Sequence, residues 1–457
     1  MAVILAVNAG SSSVKVSVFT AEKGGTPSQV AEAQVSGLTA PPAVLRYARG
    51  DASVIPHREV GDAVNDQRSA FATILDALIA DPDLPVIRRR EDVSIICHRI
   101  VHGGDFAKPQ LIVDHTYSHL EALNDLAPLH NANSLGIIRQ CCDWLPHARN
   151  VACFDTQFHA TIPRHIRTYP IDQAIARSNR LRKYGFHGLS YSFIARSVAR
   201  HLGRPLRETS IIALHLGSGA SACAIRGGRS WDTSMGLTPL AGLPGATRSG
   251  SVDPSLVFHY ASDVGKLSPA STRDLHISRA EEILNKEAGW KALTGTTDFG
   301  KIAAAAAAAA GRSRKRAPEG AENRIAAEEE EVEEEEHDND EDTRNKRLAF
   351  DLFVDRISGF IGSYYVTLRG QVDALVFAGG IGEKSDLLRS AVVDQVSCLG
   401  FRLDEEANGA GGGRQENGKE PIVWDIGKEG ITPRVLVCKT DEQFEMARLC
   451  AEGEEFW

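Results

Sequence analysis

Residues 3–19 read VILAVNAGSSSVKVSVF. The run Val3 to Val7 is the unbroken apolar stretch of a strand buried on both faces, and it breaks at Asn8-Ala9-Gly10-Ser11-Ser12-Ser13. It resumes as an alternating strand, with Val14, Val16 and Val18 on one face and Lys15 and Ser17 on the other. The pattern predicts a hairpin whose turn is the size of a phosphate. Gly10 lets the backbone approach an anion, the amides and hydroxyls of Ser11 and Ser13 can donate to phosphate oxygens, and Lys15 adds a point charge. The same residues also read as an ordinary serine-rich hairpin loop.

A second copy decides between these readings. Ser210–Gly228, SIIALHLGSGASACAIRGG, is again an apolar strand, a Gly/Ser turn and a second strand. The duplication predicts two similar α/β halves facing each other, with a phosphoryl group held between their turns. That layout resembles the sugar kinase, actin and chaperone ATPase superfamily. The expected fold is a duplicated, actin-like (ribonuclease H-like) α/β structure with the site in the cleft between its halves.

At 457 residues and 42% hydrophobic content the chain can bury large cores. No stretch reads as a membrane span, and the first strand begins at once with no leader pattern ahead of it. Its eight cysteines form no CxxC pair and several lie in strand-like runs, which reads as reduced thiols, with the cytoplasm as the expected compartment. Of the net charge of -9, residues 303–347 carry -6 through 14 acidic and 8 basic residues, leaving -3 for the rest. No basic face with interleaved aromatics appears, so nucleic acid is not an expected partner.

Residues 20–60 read as a mixed, turn-rich stretch, and 65–80 as a helix through Phe71, Ile74, Leu75 and Leu78. The strand Val93–Cys97 runs directly into His98-Arg99-Ile100-Val101-His102-Gly103-Gly104-Asp105, the position beyond a strand end where α/β sheets collect ligands. Arg99 there can grip a carboxylate or phosphate with two parallel hydrogen bonds, or it can pair structurally with an acid such as Asp105. His98 and His102 could be read as a metal pair, although the glycines disfavour the helix that this would need. Asp155, at the end of strand 150–154, suits a kinase's nucleophile-orienting or metal-binding acid and equally a helix cap. His187 lies in a glycine-flanked loop ahead of a helix from about Ser190 to Leu202, and Arg248 in the long turn-rich segment 235–254. Eight alanines from Ala303 and an acidic run open a low-complexity segment, expected to be a solvated, flexible insertion over 303–347. After a long helix over 347–368, strand 373–377 leads into Gly379-Gly380-Ile381-Gly382-Glu383-Lys384, expected to be a glycine-rich loop for nucleotide contact. Thr440-Asp441-Glu442-Gln443 opens the last helix with a capping-box pattern.

Together NAGSSSVK, HRIVHGGD, LAPLHN, FDTQFH, YGFHGLS, HLGSGAS, GLTPLAGLPGATRSG, LNKEAG, FAGGIGE and TDEQ stand in the order and spacing of the acetate kinase family. The chain resembles that family nearly throughout, and the low-complexity insertion suggests a eukaryotic, fungal-like member. The resemblance implies reversible, Mg2+-dependent transfer of the γ-phosphoryl of ATP to acetate, giving acetyl phosphate and ADP, usually by a homodimer. It implies domains at 1–155 and 156–457, the second carrying the nucleotide contacts and the C-terminal helix packing back on the first.

Carried over by position, Arg99 and Arg248 resemble the pair that holds the substrate carboxylate and the transferring phosphoryl group. His187, with His130 nearby, resembles its hydrogen-bond donor, and Asp155 the catalytic aspartate. Asn8 and Glu442 resemble the magnesium site, and Val101, Leu129, Phe186 and Pro239 the methyl pocket. Ser11, Ser13 and Lys15 resemble the first phosphate loop. His215, Gly217, Ser218 and Gly219, with Gly379, Gly380, Ile381 and Gly382, resemble the remaining nucleotide and phosphate contacts. A carboxylate needs no base to act as a nucleophile, so direct in-line transfer without a covalent intermediate is expected. Ser251 replaces an acid, and Ser218 and Lys384 each replace the family's usual Asn, the latter two leaving pyrophosphate open as donor. Propionate or butyrate kinase is the neighbouring reading, and a non-catalytic actin-like nucleotide-binding protein the distant one.

Overall fold

The computed structural model describes residues 1–10, 12–123, 128–260, 266–269, 271, 277–316, 341–411 and 420–457, and the side chains of all these except 128–133 and 309–316. The first sheet comprises β1 (Ala2–Ala9), β2 (Ser13–Ala21), β3 (Ser28–Ser36), β4 (Ala43–Arg49), β5 (Ala52–Val60), β6 (Val93–Ile100), β7 (Gln110–Leu111) and β8 (Arg149–Phe154), in the order β5-β4-β3-β2-β1-β6-β8-β7. The second comprises β9 (Ser210–Leu216), β10 (Ala220–Arg226), β11 (Arg229–Thr233), β12 (Ala374–Ala378), β13 (Val423–Asp425) and β14 (Arg434–Cys438), in the order β11-β10-β9-β12-β14-β13. In both, an antiparallel hairpin (β1–β2, β9–β10) carries a third strand on one side and two parallel strands on the other. The repeat seen in the two Gly/Ser turns is thus a repeat of topology. The fold is the duplicated α/β, actin-like one.

β1 is buried over Ala2–Val7 because helices cover both its faces. One face packs on Phe71, Ile74, Leu75 and Leu78 of the helix Gln67–Ala80; the other packs on Met446, Ala447, Cys450 and Ala451 of the C-terminal helix Glu442–Glu452. Under the second sheet the helix Glu341–Thr367 inserts Phe350, Phe353, Ile357, Ile361 and Tyr364, the one-sided spacing of a core-facing stripe.

Three expectations change. The mixed stretch 20–60 is three further strands that extend the first sheet to its exposed edge at β5. The alanine run is not wholly a solvated insertion: it lies in the helix Phe299–Arg316, where Ala303 and Ala306 are buried against the Glu341–Thr367 helix, itself starting six residues before Arg347. Alanine is the best helix former and small enough for close approach, so low complexity there serves packing. The Gly379–Lys384 segment is a short helix rather than a loop. No described helix is long and apolar enough to cross a membrane.

Candidate active site

The parallel strands of both sheets end at one place. From the first sheet come Asn8 on β1, Arg99 on β6 and Asp155 after β8; from the second come His215 on β9 and Gly379 after β12. Strand ends are where side chains leave the sheet without neighbours to satisfy them, so ligands collect there.

Arg99 is the hub. Its Nε and Nη2 donate to Oδ1 and Oδ2 of Asp155 at 3.1 and 2.7 Å, and its Nη1 lies 3.0 Å from Oε2 of Glu442. Asp105, the partner considered from sequence, pairs instead with Arg182 at 3.0 Å. Glu442 is fixed further by the Ser190 hydroxyl, which donates to Oε1 at 2.7 Å, and its Oε2 meets the Asn8 amide at 3.5 Å. Asp441, not Glu442, caps the helix by accepting from the Phe444 amide, so the Glu442 carboxylate is not spent on capping and turns to Arg99, Ser190 and Asn8 instead. Burial pushes the pKa of Asp155 up against the pull of Arg99. Burial acts on Glu442 in the same direction, but Arg99 and His215 prevail and hold it below the usual carboxylate range.

Arg248 is the opposite case. Among the described residues it has no carboxylate partner; its Nη1 donates to the Pro239 carbonyl at 3.3 Å. Burial and the nearby Arg99 both lower its pKa, the signature of a cation awaiting an anion. It lies over the second Gly/Ser turn, where a Cβ on Gly219 would stand 3.0 Å from Nη2. Ser218 is exposed, and its carbonyl accepts from the Ala246 amide at 2.8 Å, tying that turn to the Arg248 segment.

His187 sits between these groups with a left-handed backbone, φ 57°, at the start of the helix Gly188–His201. Gly185 makes the approach possible, since at φ 78° any Cβ would strike Thr233 and His159. Burial, then His215, Arg99 and Arg248, drive the His187 pKa well below its ordinary value, so the imidazole is neutral and can donate one N–H. The His215 ring lies 4.4 Å from it, and His215 Nδ1 is buried with no hydrogen-bond partner.

Val101 and Phe186 fall in one apolar cluster with Tyr184, Met235 and Leu237. Of these, Met235 and Leu237 carried no signal in the sequence beyond lying in the long loop. Gly379, φ 75°, presses on Leu216, where a Cβ would meet its carbonyl oxygen at 2.7 Å; Gly380 is exposed and open, and Ile381 packs on the core below. The Gly10 amide is already bonded to the Ser13 carbonyl at 2.9 Å, Gly217 to Gly219 at 3.2 Å, and Lys15 is bridged to Glu32 at 2.9 Å. Ser11 and the side chains of Leu129 and His130 lie outside the described residues. His98 bonds to Asn150 and His102 to the Leu237 carbonyl, so they do not converge on a metal.

The sequence profile of the Acetokinase family matches residues 3–329 and 321–448. The chain belongs to that family. Among acetokinase relatives, a protein of Chaetomium globosum named "Probable acetate kinase" is 68% identical over 100% of this chain and 99% of its own. The "Acetate kinase" of Clavibacter michiganensis subsp. michiganensis is 36% identical over 98% of both chains. The crystal structure of Porphyromonas gingivalis acetate kinase superposes with a TM-score of 0.73 at 27% identity, covering 98% of each chain. That of a propionate kinase from Francisella tularensis gives 0.76 at 28%, covering 98% of this chain and 99% of that one. Acetokinase membership makes the chain a phosphotransferase with a carboxyl acceptor.

Proposed function

We propose that the chain is an acetate kinase, transferring the γ-phosphoryl of ATP to acetate by direct in-line displacement and running reversibly. The observation that carries this reading is Arg248: a cation without a counter-ion, lying over the phosphate-sized turn of the second sheet and facing Arg99 and a neutral His187. Phosphoryl transfer to a carboxylate brings two anions together and spreads charge over equatorial oxygens, so a site must supply positive charge and N–H donors rather than a base. Arg248 and the His187 N–H do this, while Arg99, locked by Asp155 and Glu442, fixes the acceptor side. Asp155 in this role orients Arg99.

We take Val101 and Phe186, clustered with Met235 and Leu237, together with Pro239 as the acyl pocket, their bulk favouring acetate over propionate. The adjacent Asn8 and Glu442 side chains offer hard oxygens suited to a Mg2+ that keeps most of its waters and phosphate ligands. That ion would neutralise charge on the phosphoryl donor. We assign the halves 1–155 and 156–457 to the two sides of the cleft, and a cytoplasmic homodimer as the working form.

The test is phosphoryl transfer by purified protein with Mg2+ and acetate, offering ATP and pyrophosphate separately and trapping acetyl phosphate with hydroxylamine. Product with ATP supports the reading. Product with pyrophosphate alone would overturn the donor and implicate Ser218 and Lys384, and product only with longer acids would overturn the acceptor.

A further inference from the structure

His187 Nδ1 lies 2.8 Å from the Ser221 hydroxyl, and that oxygen lies 2.6 Å from the hydroxyl of Tyr191. Ser221 and Tyr191 are both 0% exposed, and His187 is half-buried. Two elements force the meeting. Ser221, the second residue of β10, lies directly opposite His215 of β9. Tyr191 is one helical turn beyond His187, its amide bonded to the His187 carbonyl at 2.9 Å, so both side chains leave one face of the helix.

The protons in this line can be counted. A neutral imidazole has one N–H, and each hydroxyl has one hydrogen. In one direction Tyr191 donates to Ser221, Ser221 donates to Nδ1, and the imidazole hydrogen must be on Nε2. With the proton on Nδ1, either Ser221 donates on to Tyr191 and the buried phenol hydrogen is left with no acceptor among the described residues, or Ser221 accepts from both neighbours and its own buried hydrogen is left with none. Nε2 would then turn a lone pair toward the cleft that Arg248 and Arg99 make positive for phosphoryl oxygens. A phenol is also the stronger donor of the two hydroxyls. Only the first direction gives the hydrogens of both buried hydroxyls an acceptor, and it leaves the Nε2–H for the cleft.

We propose that Tyr191 and Ser221 form a one-way hydrogen-bond relay that fixes His187 as its Nε2–H tautomer, making both positioning residues for phosphoryl transfer. This rests on the reading of the site as a phosphotransferase centre. The relay holds the donor aimed before substrate binds, so no reorientation is needed as charge develops. A histidine in the wrong tautomer forfeits its role even when its position is unchanged.

The experiment is two-bond 15N–1H correlation of the full chain labelled at histidine, recorded at neutral pH without substrates. The His187 signals are assigned by their loss in His187→Gln. The relay predicts a protonated Nε2 and an unprotonated Nδ1 in the unmodified protein. Ser221→Ala should give a mixture of tautomers and lower kcat for acetyl phosphate formation about 10- to 100-fold, with KM for acetate and ATP within about twofold. Tyr191→Phe should lower kcat less, because Ser221 remains. A proton on Nδ1 in the unmodified protein overturns the relay, as does a Ser221→Ala protein with unchanged tautomer and kcat. If Ser221→Ala does not fold, the spectrum of the unmodified protein decides alone. An Nε2–H tautomer in a protein that forms no acyl phosphate would uphold the relay while removing the functional reading.

Discussion

Replacing Arg248 by alanine should separate catalysis from stability. The side chain makes one hydrogen bond, to the Pro239 carbonyl at 3.3 Å, worth about 0.5–1.5 kcal/mol net. Against that loss stands relief of a partly buried cation that burial and Arg99 both disfavour. The two nearly cancel, so the melting temperature should move by no more than about 2 °C. In the transition state the balance is different. One preorganised donor is worth about 10^2–10^3 in rate, and a full guanidinium on a transferring phosphoryl group about 10^3–10^5. We expect kcat to fall about 10^3- to 10^4-fold, or about 4–5.5 kcal/mol at 1.36 kcal/mol per decade. The assay is hydroxylamine trapping at saturating ATP and acetate, beside a thermal melt of the same preparation. A fall in kcat below tenfold, or a melting loss in proportion to the activity loss, would show that Arg248 does not act on the transferring phosphoryl group.

Other substitutions should behave differently. Arg99→Ala strands the carboxylates of Asp155 and Glu442, so it should cost about 3–5 kcal/mol of stability as well as activity, read by denaturant unfolding; an unchanged midpoint would contradict the pairing. Glu442→Gln should raise the Mg2+ concentration for half-maximal rate at least several-fold, and an unchanged Mg2+ dependence would remove it from the metal site. Val101→Ala should shift relative kcat/KM from acetate toward propionate by about tenfold, the worth of about one methylene; no shift would exclude Val101 from the acyl pocket. Buried His98, His102 and His159 have pKa values lowered to about 4. The unfolded chain therefore binds more protons below its ordinary histidine pKa, and stability should fall as pH drops, by about 2 kcal/mol per histidine at pH 5 relative to pH 7. Equal unfolding free energies at the two pH values would contradict their burial in neutral form.

The repeat of hairpin and Gly/Ser turn was legible because it is local: an apolar run, a break and an alternating run within twenty residues. So were Arg99 and Asp155, each at the end of such a run, whereas His215 came only from the family resemblance. What the sequence hid is long-range or tertiary. Arg99 finds Asp155 and Glu442, the latter from the far end of the chain, and no local pattern announces either pairing. β3 to β5 were obscured because they are edgeward strands with polar outward positions, whose apolar residues are too few to stand out between Gly and Pro turns. Glycines argued against a helix at 379–384. It forms because buried Arg389 donates to the Gly382 and Glu383 carbonyls at 2.9 and 2.8 Å, satisfying a helix end that propensity alone would leave open. The line from His187 through Ser221 to Tyr191 joins two motifs that looked independent.

Transfer from nucleotide to carboxylate is single and direct, with charge supplied by the site and no phosphorylated side chain. The most direct measurement is the stereochemistry at phosphorus when ATP made chiral at its γ-phosphoryl group with oxygen isotopes is turned over with acetate. Direct transfer gives acetyl phosphate with inverted configuration. Retention would contradict it, because two successive displacements through an enzyme group would then be required.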